Sequence, residues 1–436
     1  MRRRFLWMLL AGTALVACVE DPPESGEAPG SPEPSGDPAA MTDAELEELA
    51  RGIHDRVITL DTHIDIPFDF GTSAADPGVQ AGFQNDLPKM EEGGLDAAYF
   101  IVYHPQGERS PEGYAYALER AMQKFDGVRR MTEELYPDRI GLAHSADDVE
   151  RIHGEGRLVA LIGVENPYPI GEDLSLLEEF HELGARYVSI THNGHNQFGD
   201  AAQERPEFGD DGPEWGGLSP LGRDLVAELN RLGIFVDVSH ASRAAMMEAT
   251  ELSPAPIIAS HSSVQAVVNH PRNLDDDQLR AIRDNGGVAH MTALAAFVKE
   301  MPPERGDAIQ ELRDRFGIET GADIGALDDE ERRVFDAGMD EIDEQFPPAS
   351  VADFVDHIEH AVEVAGVDHV GISSDFDGGG GVVGWNDSSE TFNVTLELVR
   401  RGYNEQEIRK IWSGNHLRAL REVERVSREI QGEMTP

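Results

Sequence analysis

Eight short apolar runs of β-forming residues recur along this chain, separated by helix-patterned segments, and nearly every run ends on an ionisable side chain. The runs span residues 57–61, 97–103, 158–164, 187–191, 234–239, 256–260, 287–292 and 369–374, with helical patterns such as 221–232 and 352–365 between them. Strand–helix alternation specifies parallel pairing, because parallel neighbours need a crossover and the helix supplies it. Eight such units predict a (β/α)8 TIM-type barrel, with a doubly wound open sheet as the alternative. The barrel is preferred because its functional mouth lies at the C-terminal ends of the strands, where these ionisable residues fall.

The series at the run ends is His63 and Asp65, Glu165, His192, His240, His261 and Asp375. Side chains alternate along a strand, so His63 and Asp65 point the same way and form a metal-ligand pair. Glu165 follows Leu161-Ile162-Gly163-Val164, and an acid at the end of so apolar a strand is costly to bury without a cation. His240 and His261 each follow a serine at the end of consecutive runs. Three imidazoles with two carboxylates suit zinc, manganese or iron. Five donors are too many for one tetrahedral ion and fit two ions sharing a carboxylate, which makes a two-metal hydrolytic site the leading expectation.

Composition removes other classes. Cys18 is the single cysteine, so neither a disulfide framework nor Cys-ligated zinc can be built. With 36 Lys+Arg against 83 Asp+Glu, the net charge of −47 excludes nucleic-acid binding through a basic face. Only Lys89, Lys124, Lys299 and Lys410 are lysines, so arginine supplies the counter-charge on an acidic surface. Adaptation to high salt and a GC-rich genome both account for that bias.

Arg2, Arg3 and Arg4 precede an apolar stretch at 5–16 that is too short to span a bilayer, so residues 1–17 read as a signal peptide. Leu15-Val16-Ala17-Cys18 resembles the bacterial lipobox, which implies lipid on Cys18 and an exported chain anchored to the membrane of the cell envelope. Arg2-Arg3-Arg4-Phe5-Leu6 also fits a twin-arginine signal, leaving the export route open. Residues 18–41 form an acidic tether rich in Pro and Gly, and 42–430 form the barrel domain. An acidic helix-patterned insertion at about 297–350 exceeds what a barrel connection needs. Three roles are open to it: a lid, a homodimer contact or a solvated excursion.

The chain resembles the membrane dipeptidase (renal dipeptidase) family of zinc peptidases. The matching segments include Asp61-Thr62-His63-Ile64-Asp65-Ile66-Pro67, Gly163-Val164-Glu165, Thr191-His192-Asn193 and Gly217-Leu218-Ser219-Pro220-Leu221-Gly222. They continue through Asp237-Val238-Ser239-His240, Ser260-His261-Ser262-Ser263, Pro271-Arg272-Asn273-Leu274 and Ser373-Ser374-Asp375-Phe376-Asp377-Gly378. The resemblance implies dipeptide hydrolysis at two zinc ions per chain, His63 and Asp65 on one, His240 and His261 on the other, and Glu165 bridging both with a hydroxide between them. It further implies that His192 stabilises the oxyanion, Arg272 grips the substrate carboxylate, and Asp375 meets the amino group and passes a proton to the leaving amine.

His195 competes with His192 for its role, Asp377 with Asp375, and Arg272 has the alternative of neutralising Asp275, Asp276 and Asp277. Phe68 stands where many relatives have Trp, and the run at 287–294 lacks a Tyr that often assists the arginine. Two other functions remain to be weighed: hydrolysis of other amides, lactams or esters at the same centre, and a catalytically silent surface binding protein.

Overall fold

In the computed structural model, which describes residues 41–80, 82–318 and 327–432, the apolar runs pair in parallel from first to last. The strands are β1 (Leu60–Asp65), β2 (Ala97–Tyr103), β3 (Ile140–Leu142), β4 (Leu158–Glu165), β5 (Ala185–Ser189), β6 (Phe235–Asp237), β7 (Ile258–Ser262), β8 (Val288–Thr292) and β9 (Val370–Ser373). Their order is β1-β2-β4-β5-β6-β7-β8-β9, and the short β3 pairs with the N-terminal half of β4 while β5 takes its C-terminal half. Asp65 N donates to Phe376 O at 2.9 Å and Asp375 N to His63 O at 3.1 Å, so the last strand returns to the first and the (β/α)8 barrel closes.

Alternation sorts the core into two layers. Ala98, Phe100 and Val102 of β2 and Ala160, Ile162 and Val164 of β4 pack outward under the helices. Tyr99 and Ile101, with Val159 and Leu161, join Tyr187, Phe235 and Ile258 inside the barrel, whose floor is met by Leu417, Leu420 and Val423 of helix Asn415–Ile430. The outer helices follow local rules. Helix Pro220–Leu232 starts where the Ser219 side chain accepts the Gly222 N–H with Pro at the first turn, and it stops at Gly233, whose φ of 78° is left-handed.

The first run was expected at 57–61, yet β1 begins at Leu60 and continues to Asp65, so His63 and Asp65 lie within the strand. The closing hydrogen bonds at Asp65 N and His63 O hold that extension, and they come from partners more than 300 residues away. The seventh strand likewise runs on to Ser262 and contains His261. Within the insertion, helices Pro303–Phe316 and Asp329–Gln345 share a small core of Leu312, Ile318 and Phe335. The signal segment 1–17, Cys18 and the tether to residue 40 lie outside the described residues. Among those described, no helix is long and apolar enough to cross a membrane.

Candidate metal centre

The barrel mouth is built on backbone that resists ordinary side chains. Among the described residues, Asn166, His240, Asp375 and Asp377 are the non-glycine residues with left-handed φ, at 67°, 67°, 61° and 59°. They stand just past β4, β6 and β9, where the chain must turn sharply to aim side chains inward. Such conformations cost on the order of 1–3 kcal/mol each and persist where the surroundings over-determine them.

Glu165 stands at the centre. Its Oε2 lies 3.8 Å from His63 Nε2, while its Oε1 lies 3.0 Å from His240 Nε2 and 3.2 Å from His261 Nε2. His63 Nε2 is also 3.8 Å from Asp65 Oδ2 and 3.9 Å from Asp375 Oδ1. The five expected ligands therefore converge, with one carboxylate oxygen facing each half of the set. Three overlapping groups have donor atoms all within 4.8 Å of one another: His63-Glu165-His261, Glu165-His192-His240 and His63-Asp65-Asp375.

Hydrogen bonds behind the rings set their tautomers. Tyr187 OH donates to Thr62 O and so accepts from His63 Nδ1 at 2.9 Å. Ser260 Oγ donates to Asp237 and accepts from His261 Nδ1 at 2.8 Å, and the Asn193 carbonyl oxygen accepts from His240 Nδ1 at 2.9 Å. His240 and His261 thus carry their protons on Nδ1 and turn Nε2 into the mouth, while His63 donates from Nδ1 to Tyr187. In that tautomer His240 and His261 oppose their Nε2 lone pairs at 2.9 Å. A cation relieves that opposition, so the donor set fits a metal of the zinc class. Gly163 makes the arrangement possible, since a Cβ there would lie 2.1 Å from the Tyr187 ring that holds His63.

The charges fit the same reading. Burial raises the Glu165 carboxyl to about 8 and that of Asp375 to about 7. Burial works against the charge on His63, but Glu165, Asp65 and Asp375 outweigh it. Burial holds His240 and His261 well below their usual range, with Arg272 adding to the effect. Buried carboxyls this close are stable together only when protonated or when a cation shares them.

Around this cluster a cavity of about 560 Å³ is lined by His192, Arg272 and Asp375 along with Tyr103, Lys124 and Phe297. Arg272, 3% exposed, donates to His261 O at 3.1 Å, and its Nε has no hydrogen-bond partner among the described residues. It does not neutralise the neighbouring acids: Asp275 pairs with Arg243 at 2.6 Å, Asp276 with His360 at 2.8 Å and Asp277 with Arg280 at 3.0 Å. Asp377 accepts the backbone N–H groups of Gln84 and Asn85 at 2.9 and 3.1 Å. His195 uses both ring nitrogens on backbone, at Ala201 N and Gly212 O. His192 faces Tyr103 OH at 3.3 Å, and burial with Arg272 lowers it to about 3, so it is neutral at working pH. Of the described insertion, only Phe297 at its start lines this cavity.

Sequence reasoning passed over Tyr187, Asn193, Tyr103 and Lys124. Lys124 alone carried a signal: it occupies a core position in the apolar stripe Ala117, Ala121, Phe125 and Val128 of helix Pro111–Arg130. Gly378 was also passed over, and a Cβ there would lie 2.3 Å from Asp65 Oδ2 and 2.4 Å from Asp375 Oδ1.

Comparison with known proteins gives consistent matches. Residues 47–434 match the family model described as membrane dipeptidase (peptidase family M19). The chain is 34% identical to dipeptidase tcpJ of Claviceps purpurea (strain 20.1) over 352 residues, which is 80% of this chain and 71% of that protein. Its fold matches the crystal structure of the probable dipeptidase PvdM from Pseudomonas aeruginosa with a TM-score of 0.77 and 34% identity, covering 88% of this chain and 99% of that one. It also matches a metallo peptidase from Rhodobacter sphaeroides liganded with a phosphinate mimic of the dipeptide L-Ala-D-Ala, with a TM-score of 0.63 and 25% identity, covering 84% and 99%.

Proposed function

Since the chain belongs to the membrane dipeptidase family, peptidase family M19, we propose that it hydrolyses free dipeptides at a centre of two zinc ions. His63 and Asp65 would hold one ion, His240 and His261 the other, and Glu165 both. The observation that carries this reading is the division of the Glu165 carboxylate, one oxygen toward His63 and the other toward His240 and His261. When bound, such ions acidify a shared water and polarise the scissile carbonyl.

The chain's own residues do the rest. Arg272 offers a buried guanidinium with an unpartnered Nε to the substrate carboxylate. Asp375 receives the α-ammonium, and its carboxylate is placed to take a proton and return it to the leaving amine. With Tyr103 OH donating to Nδ1, His192 would hold its proton on Nε2 and donate it to the developing oxyanion. Similarity to a protein liganded with a dipeptide mimic supports this substrate class. We also place the enzyme outside the cytoplasm, held to the envelope by lipid on Cys18, on the strength of the N-terminal sequence.

The deciding experiment pairs metal analysis with a dipeptide panel. Active protein is expected to carry about two equivalents of zinc, as two-ion hydrolases do, and to cleave Ala-Ala. One equivalent at full activity would remove the bridging role of Glu165, and failure to cleave any dipeptide would reject the function.

A further inference from the structure

A lysine placed in the apolar face of a helix needs a reason, because burying an ammonium without an acceptor is costly. Lys124 is such a residue, 3% exposed, with its Nζ opening into the cavity of the metal centre. Its nearest acid is Asp65, whose Oδ1 is 4.0 Å away, beyond hydrogen-bond reach. No hydrogen bond from Nζ is formed among the described residues. Aromatic faces supply what favourable surroundings it has, the rings of Phe68 and Tyr103 lying 5.0 and 5.5 Å away. One turn earlier on the same helix, Arg120 stacks on Phe68 at 3.8 Å, and its buried Nε has no hydrogen-bond partner among the described residues. This wall of the mouth is therefore cationic and under-satisfied.

Strand order gives the wall its meaning. Lys124 follows β2, the second strand of the ring, and Arg272 follows β7, the sixth, so two buried cations face each other across the mouth. Asp375 follows β9, the eighth strand, two strands from each of them around the ring, and both it and Lys124 flank Asp65. A dipeptide whose carboxylate meets Arg272 and whose ammonium meets Asp375 would project its first side chain toward Lys124.

We propose that Lys124 forms a subsite for an acidic side chain on the amino-terminal residue of the substrate, so that dipeptides beginning with Glu or Asp are preferred. The inference rests on the dipeptidase reading above and adds to it the substrate class. Tyr103 packs the methylenes of such a side chain, and Lys124 receives its carboxylate with Arg120 reinforcing the potential.

The test compares kcat/KM for Glu-Ala and Gln-Ala, which differ in charge and hardly in size, on the intact metal-loaded enzyme. Glu-Ala is expected to lead by about tenfold or more, the range of a paired buried charge. Lys124→Met should bring the ratio to unity or below, Lys124→Arg should keep it above unity, and Lys124→Glu should shift preference to Lys-Ala. A ratio near unity in the parent enzyme overturns the proposal. So does a Lys124→Met variant that slows both substrates by one common factor, since Lys124 would then act only by holding Asp65. If neither substrate nor Ala-Ala is cleaved at all, the dipeptidase reading itself fails, an outcome distinct from cleavage without preference.

Discussion

His240 and His261 present their Nε2 atoms to each other at 2.9 Å, and the partners behind each ring keep both nitrogens unprotonated. Two lone pairs so placed stabilise a cation and little else. Removing metal with a chelator should therefore abolish activity and lower the thermal midpoint, with zinc restoring both. Binding to the folded state alone stabilises by about 4 kcal/mol at a thousandfold excess over Kd. His240→Ala should lose about one equivalent of metal. An unchanged midpoint after complete metal removal would refute the fit.

Asp375→Asn and Arg272→Ala test recognition of the two substrate termini. Each should cost about 2–5 kcal/mol in kcat/KM on a free dipeptide, or some tens to thousands in rate. The Asp375 effect should shrink on the N-acetyl substrate, leaving its share in proton transfer to the leaving amine, and the Arg272 effect should shrink on the C-terminal amide. Equal kcat/KM for free and acetylated substrates in the parent enzyme would contradict the two-charge model.

Gly378→Ala should lower kcat by about a hundredfold, the scale of a displacement near 1 Å at a reacting centre. The added methyl would meet Asp65 Oδ2 and Asp375 Oδ1 at 2.3 and 2.4 Å, so one carboxylate must move. Circular dichroism should remain that of the parent, because the site lies at the mouth and not in the core. Full activity in this variant would show that the two carboxylates do not need their present spacing.

Acid stability should depend on His290, buried inside the barrel with Nδ1 on Ala259 O at 3.0 Å and Nε2 facing His416 Nδ1 at 3.2 Å. Burial lowers it from 6.5 to about 4. Between those values the unfolded chain binds the extra proton, so stability is complete above about pH 6.5 and declines as pH falls toward 4. The loss from this one group is about 3 kcal/mol. Urea unfolding across that window should show a shallower decline for His290→Gln, and parallel curves would exclude the assignment.

Cys18→Ser should move the protein from the membrane to the soluble fraction after export. Several acyl chains are needed for firm attachment, because one alone binds only marginally. Wild-type protein recovered wholly soluble would remove the anchor.

The sequence by itself determined the barrel and the donor atoms at its mouth. Strand–helix alternation is a local property that specifies parallel pairing, and the ionisable run ends favour the barrel over a doubly wound open sheet. The two-residue period puts His63 and Asp65 on one face, and their side-chain tips stand 3.8 Å apart. Strand limits were less legible, since β1 is lengthened by hydrogen bonds to Phe376 and Asp375 that no window around residue 60 contains. The three-residue β3 is too short to show a period.

Only the tertiary structure decided how the chemically equivalent candidates are used. Asp375 and Asp377 are the same residue type two positions apart, yet Asp377 is taken up by Gln84 and Asn85 while Asp375 approaches His63. His192 and His195 divide in the same way, one at the cavity and one on loop backbone. The tautomers were equally out of reach, because Tyr187 and His63 meet across 124 residues and only where Gly163 leaves room for the ring. Local periodicity sets which face a side chain takes. Its partners are set by closure of the barrel, which brings together the ends of strands far apart in the chain.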